Sequence, residues 1–162
     1  MVRIIKLLEL LVRSKVDFVL VGGAAAAAYG SPLVTQDLDL CGDMGADNLE
    51  RLAKALLPYD ARHRMTPDRP PFTPEGARES AFKNLYLHTD LGQLDFLGTI
   101  KGLGGYAEAD AASQSLPIGE VSIRILTLAN LIKAKEAMGR PRDLENVEIL
   151  RHIENERNRK ND

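Results

Sequence analysis

Two aspartates, Asp37 and Asp39, are separated by one residue in the segment TQDLDL, whose alternation is typical of a strand. Side chains two residues apart in a strand share a face, so the two carboxylates are expected to stand side by side, with Leu38 and Leu40 facing a core. Carboxylates this close raise each other's pKa unless a cation lies between them. A hard divalent ion with oxygen ligands, Mg²⁺ or Mn²⁺, meets that need. The pair therefore predicts a metal site.

A glycine pair, Gly22-Gly23, lies between the apolar run VDFVLV and five alanines. This pattern predicts a strand, a tight turn and the start of a helix. Backbone N–H groups at the positive end of a helix suit a phosphate. A phosphate cradle beside metal-binding carboxylates indicates chemistry on a nucleoside triphosphate.

A third acid, Asp95, interrupts the otherwise apolar strand LGQLDFL. A buried carboxylate is costly unless it is paired or bound to a metal. Asp95 is therefore the expected third partner of Asp37 and Asp39. The alternative is a surface aspartate on an edge strand.

The elements that would position these acids follow from the hydrophobic periodicity. Helices are predicted over 3–13, 24–29, 49–57, 128–139 and 144–153. Strands are predicted over 16–21, through Asp37 and Asp39, and over 82–88, 91–97, 115–118 and 121–126. Thr127 is expected to cap the helix that Gly139 ends, and Asp143 to open the last one.

Two stretches are expected to be loops. Residues 61–80 are polar and proline-rich around a weak strand, ARHRM, in which arginines either contact phosphates or are solvated on the surface; these are Arg62, Arg64 and, further on, Arg69. Residues 98–114 contain four glycines and are expected to form a mobile loop, a candidate lid.

The chain has 162 residues, enough for one domain, with a core over about 1–126 and a helical segment over about 127–157. Its 44% apolar and 27% charged residues are ordinary for a soluble protein. A net charge of −2 argues against a protein that mainly coats nucleic acid.

Cysteine and hydropathy patterns favour a cytoplasmic protein without a membrane segment. Cys41 is the only cysteine, which excludes a disulfide framework and a cysteine-rich zinc site. We expect no signal peptide. Residues 18–36 carry no charge, but glycines, alanines and a proline make them too weakly apolar to span a bilayer.

Together these motifs resemble the nucleotidyltransferase superfamily of the DNA polymerase beta type. The shared pattern is a Gly-Gly turn, a D-x-D motif and a third acid on a later strand. The run LIKAKEAMGRPRDLENV, residues 131–147, is similar to a segment of prokaryotic stand-alone nucleotidyltransferases, which include toxin-like proteins of the abortive-infection type. Lys135 and Asp143 match the recurrent lysine and aspartate of that segment, and Arg142 replaces a lysine.

The resemblance implies an α+β fold, with a mixed β-sheet flanked by helices and two C-terminal helices. It also implies transfer of a nucleoside monophosphate from an NTP to an acceptor hydroxyl. Asp37, Asp39 and Asp95 would be the catalytic metal ligands for Mg²⁺ or Mn²⁺. Gly22, Gly23 and Lys135 would hold the nucleotide, and Asp143 would either orient Lys135 or cap its own helix.

The acceptor is open among a tRNA end, a protein side chain and a small molecule. A toxin held by an antitoxin chain and a homodimer are both compatible with the sequence. One departure matters: Leu33 stands where relatives often have an arginine. The alternative is therefore a regulatory module that keeps the fold and binds a nucleotide with weak or no catalysis.

Overall fold

The computed structural model describes residues 2–162 as a mixed β-sheet flanked by helices. Within these residues the helices are α1 (Val2–Arg13), α2 (Gly22–Ala28), α3 (Ala46–Leu56), α4 (Pro74–Glu79), α5 (Tyr106–Ala111), α6 (Leu128–Met138) and α7 (Pro141–Asn161), with a short 3-10 helix at Leu57–Tyr59. The strands are β1 (Phe18–Leu20), β2 (Asp37–Gly42), β3 (Arg62–His63), β4 (Asn84–Thr89), β5 (Gly92–Leu97), β6 (Thr99–Ile100), β7 (Gly104–Gly105), β8 (Ser113–Ile118) and β9 (Val121–Leu126).

Seven strands form one sheet in the order β3-β4-β5-β2-β1-β9-β8, and β6 and β7 form a separate two-stranded sheet. The β2–β5 and β1–β9 pairs are parallel, and the other pairs are antiparallel. The predicted α+β class with a mixed sheet flanked by helices is confirmed at this level.

Strand β2 lies at the centre of this sheet, between β1 and β5. Its side chains alternate: Leu38 and Leu40 are fully buried, whereas Asp37 and Asp39 are partly exposed. The alternation is the period of two that the sequence predicts. The acids therefore project from a strand that is hydrogen-bonded on both sides, which gives them a rigid base.

Two helices illustrate how the sequence builds the layers. Helix α1 buries the apolar stripe of Leu7, Leu8 and Leu11, as its periodicity predicts. Helix α2 buries Ala24 to Ala26 and contacts β2 and α6. Alanine side chains are short, so α2 can pack close to the strand that carries the acids.

Helices α6 and α7 pack against each other, and both ends of α6 follow the predicted signals. The Thr127 hydroxyl accepts a hydrogen bond from the Asn130 N–H, and Gly139 has φ +67°, the left-handed conformation of a helix stop. Asp143 is not the cap of α7, because Arg140 occupies that position and Asp143 lies in the first turn.

Both predicted loops contain helices, so those predictions were too simple. In the first, Thr73 caps α4 by accepting from the Gly76 N–H, and Pro74 starts the helix. In the second, residues 104–111 form β7 and α5, and the buried Ala109 fixes α5 to the core. No helix within residues 2–162 has both the length and the apolar character needed to cross a membrane.

Candidate active site

The three predicted acids come together through the parallel pairing of β2 and β5. Asp39 is the register partner of Asp95, and Asp37 is the partner of Gln93. Register partners on neighbouring strands lie on the same face of a sheet, as do residues two apart on one strand. Asp37, Asp39 and Asp95 therefore share one face, and they lie at adjacent positions of it.

Asp39 is destabilised in its ionised form by burial and by the neighbouring acids. The pKa of its carboxyl is raised to about 6, first by burial and then by the charges of Asp95 and Asp37. Lys135 and the N–H of Gly23 partly offset the effect. A group of carboxylates that repel each other in a desolvated site is chemically suited to a divalent cation.

The three carboxylates do not form a preorganised metal-binding site. No group of three or more His, Cys, Asp or Glu side chains within residues 2–162 is arranged to hold a metal ion. The Asp95 carboxylate instead accepts a hydrogen bond from the Arg64 guanidinium. The fit to Mg²⁺ or Mn²⁺ therefore rests on the oxygen ligands and their shared face.

The glycine pair lies directly against the acids. Gly22 has φ +65°, and a Cβ built on it would lie 2.2 Å from Oδ2 of Asp39. Only a residue without a side chain allows this approach. The backbone N–H of Val21, the residue before the pair, donates to the Asp39 carbonyl at 3.1 Å. The predicted phosphate contact of Gly22 and Gly23 stays a prediction, and the observed role of this turn is to support Asp39.

Lys135 and Asp143 meet between α6 and α7. Their Nζ and Oδ1 atoms are 3.9 Å apart, and each side chain is only 9% exposed. Asp143 also accepts from Nε of Arg140 at 2.6 Å. Burial lowers the pKa of Lys135 even though Asp143 and Asp39 act in the opposite direction. Of the two predicted roles of Asp143, orienting Lys135 agrees with this geometry.

A cleft of about 1370 Å³ opens over these groups. Its lining includes Gly22, Gly23, Asp37, Asp39, Asp95 and Lys135, and Asp143 lines it too. Pockets for one small ligand are usually of roughly 300–1,000 Å³. The cleft therefore has room for a nucleotide together with part of a second molecule.

The sequence analysis did not single out several residues of this cleft. Asn84, Tyr86 and Lys101 line it on the side of β4 and β6. Tyr86 is the register partner of Asp95. The strands predicted over 82–88 and 91–97 contain both residues, but only the observed register, with Thr89 opposite Gly92, places Tyr86 beside the acid.

Two arginines at the start of α7, one at its cap and one in its first turn, line the cleft that Leu33 also lines. Arg142 donates to the carbonyl of Val34 at 2.5 Å, and both Arg140 and Arg142 line the cleft. Positive charge is thus present beside Leu33, although it comes from a different part of the chain.

The three arginines of the first predicted loop have different surroundings. Arg64 pairs with Asp95 in the cluster of acids, whereas Arg62 pairs with the exposed Asp60 and Arg69 is exposed. Of the two interpretations of this group, the solvated one fits Arg62 and Arg69.

No protein-family model matches the chain, and no curated protein matches it.

Proposed function

We propose that the protein is a metal-dependent nucleotidyltransferase with the fold of the DNA polymerase beta type. It transfers a nucleoside monophosphate from an NTP to an acceptor hydroxyl. The observation that supports this most directly is the register of Asp39 with Asp95, which adds a third carboxylate to the face of Asp37 and Asp39. The adjacent cleft, with Lys135 on its wall, supports a triphosphate as the ligand.

In the proposed reaction a bond forms between the acceptor oxygen and the α-phosphorus, and pyrophosphate leaves. Asp37, Asp39 and Asp95 would hold Mg²⁺ or Mn²⁺. When bound, such ions activate the attacking oxygen and stabilise charge on the leaving pyrophosphate.

The chain's own groups have separate tasks in this proposal. Asp95 accepts the proton of the attacking hydroxyl. Lys135, oriented by Asp143, neutralises charge on the triphosphate. Gly22 keeps the backbone close to Asp39, so that this carboxylate stays on the shared face.

The acceptor is a tRNA end, a protein side chain or a small molecule. The volume of the cleft supports simultaneous binding of an NTP and part of an acceptor. We further propose a toxin-like role with an antitoxin chain as partner, which adds a biological effect to the same chemistry.

One observation favours a second candidate, a regulatory module of the same fold. The Asp95 carboxylate is already engaged by Arg64, and Leu33 contributes no charge to the cleft. In that case an NTP would bind without transfer. The two candidates differ in turnover and not in nucleotide binding.

Transfer of label tests the proposal. The protein is incubated with each α-³²P-labelled NTP, Mg²⁺ or Mn²⁺, and separate pools of tRNA, protein and small-molecule acceptors. We expect incorporation from one or more NTPs, and its loss in Asp39→Asn. Asp90→Asn, an exposed acid at the hairpin turn, is the matched control. Transfer by Asp39→Asn at the wild-type rate would overturn the proposal.

A further inference from the structure

Arg64 is placed in the cluster of acids by an edge strand of the sheet. Its guanidinium donates to Oδ1 of Asp95, and the two side chains are only 18% and 16% exposed. The charges of Asp37 and Asp39 also act on Arg64, in addition to its hydrogen bond with Asp95. The positive guanidinium of Arg64 thus lies beside the three carboxylates, where negative charge is concentrated.

Two contacts with Tyr86 hold Arg64 in this position. Its backbone N–H donates to the Tyr86 carbonyl at 2.9 Å, and its guanidinium lies 5.4 Å from the centre of the Tyr86 ring. A cation over an aromatic face adds roughly 0.5–2 kcal/mol, depending on solvent access. The side chain is therefore a fixed part of the site.

Arg62, two residues away, provides the contrast. It pairs with Asp60, and these side chains are 43% and 59% exposed. An ion pair this exposed contributes little. Arg62 on β3 and Arg64 just after it are thus used in two ways, and of these two only Arg64 pairs with one of the three acids.

We propose that Arg64 is a positioning residue that occupies Asp95 in the metal-free protein and exchanges with the divalent cation at that carboxylate. The proposal rests on the metal-dependent function proposed above and adds a residue that regulates metal entry. A guanidinium and a metal ion compete for the same carboxylate oxygens, and each repels the other. Asp95 is therefore held in place before the metal arrives, at the cost of weaker metal binding.

Removal of Arg64 should consequently strengthen metal binding, which is the opposite of what loss of a structural residue would do. The contact of Arg64 with Asp95 predicts that the change in metal affinity originates at the Asp95 carboxylate. Since Arg64 acts through Asp95, its removal should matter little once Asp95 cannot ionise. A double-mutant cycle isolates that coupling.

The experiment measures Mn²⁺ affinity of the full chain by electron paramagnetic resonance, without nucleotide. We expect Arg64→Gln to bind Mn²⁺ several-fold more tightly than wild type, and Arg62→Gln to bind it with wild-type affinity. In the Asp95→Asn background, Arg64→Gln should change the affinity less than twofold. Arg64→Lys, which keeps the charge without the planar fork, should be intermediate and serves if the glutamine variant does not fold.

Unchanged or weaker Mn²⁺ binding in both Arg64 variants would overturn the proposal that Arg64 and the metal ion exchange at Asp95. If wild type transfers label from an NTP in that case, the proposed function survives and this inference alone fails. If neither wild type nor any variant binds Mn²⁺ and wild type transfers no label from an NTP, both are overturned. A gain in affinity that persists in the Asp95→Asn background would overturn the role of Asp95 in the exchange.

Discussion

Asp39 of β2 stands directly opposite Asp95 of β5, as a register pair of two parallel strands at the centre of the sheet. The residues that follow each acid, Leu40 and Phe96, are fully buried and form the next register pair. A slip of one residue would turn every side chain of the strand to the other face. The core therefore enforces the pairing of the two acids.

The raised pKa of Asp39 predicts that the free energy of unfolding depends on pH. Its carboxyl has a pKa of about 6 in the folded chain against an ordinary 3.8, so the folded state binds the proton more tightly. The stability that protonation of Asp39 gives to the folded state is fully present below pH 3.8. It is lost as the pH rises through about 6, where Asp39 ionises in the folded chain. The loss is at most about 3 kcal/mol, at 1.36 kcal/mol per pKa unit.

Asp39→Asn cannot ionise, so we expect it to be more stable than wild type at pH 8, with the difference closing below pH 4. Urea unfolding at several pH values measures this, without metal. Asp90→Asn controls for the loss of one carboxylate. A difference between Asp39→Asn and wild type that does not vary with pH would contradict the prediction.

Gly22 and Gly139 offer a matched pair of substitutions. Both have a positive φ, +65° and +67°, so an alanine at either position costs about 1–2 kcal/mol of backbone strain. At Gly22 the added Cβ would also collide with Asp39, whereas at Gly139 the nearest atom is 3.7 Å away. Both variants should therefore lose stability, but only Gly22→Ala should lose Mn²⁺ binding.

Urea unfolding and Mn²⁺ titration of the two glycine variants separate these effects. Equal Mn²⁺ affinity in Gly22→Ala and Gly139→Ala would mean that the approach of the turn to Asp39 has no role in the metal site.

Lys135 is expected to hold the triphosphate. Lys135→Met keeps the buried stem of the side chain and removes the charge. Hydrogen bonds to charged groups contribute about 1.5–3 kcal/mol, so NTP affinity should fall roughly 10- to 100-fold. Calorimetric titration with the NTP measures this, and Lys133→Met, exposed on the same helix, is the control. NTP binding by Lys135→Met with wild-type affinity would exclude this role.

The toxin-like proposal makes a cellular prediction. Expression of wild type in a bacterium should arrest growth, and expression of Asp39→Asn should not, because the variant lacks transfer. Matched protein levels are checked by immunoblot. Normal growth at high levels of wild type would contradict the toxin role and leave the enzymatic proposal to the label assay.

Local sequence signals predicted the regular elements around the site well. The stripe of α1, the alternation of β2 and the caps of α6 each depend on neighbouring residues, which a single sequence displays. The position of Asp95 was also predictable, because an acid in an apolar strand needs a partner. Its pairing with Asp39 depends on residues far apart in the chain and is visible only in the folded sheet.

Other features were missed for identifiable reasons. Helix α4 follows a Thr73-Pro74 start signal, but the surrounding prolines favoured a loop. Helix α5 forms where Glu108 accepts from the Gly105 N–H at 3.0 Å, a short cap within a glycine-rich stretch. The contact of Arg64 with Asp95 depends on the register of a two-residue strand, which no local pattern specifies.

The measurement that tests the central claim most directly is thermal unfolding with each of the four NTPs, with and without Mg²⁺. A ligand that binds only the folded state at 100 times its Kd stabilises it by about 2.7 kcal/mol. We predict that at least one NTP raises the Tm of wild type only when Mg²⁺ is present, and that Asp37→Asn loses this shift. The absence of any shift with all four NTPs, or an equal shift in Asp37→Asn, would contradict a metal-dependent nucleotide site at these acids.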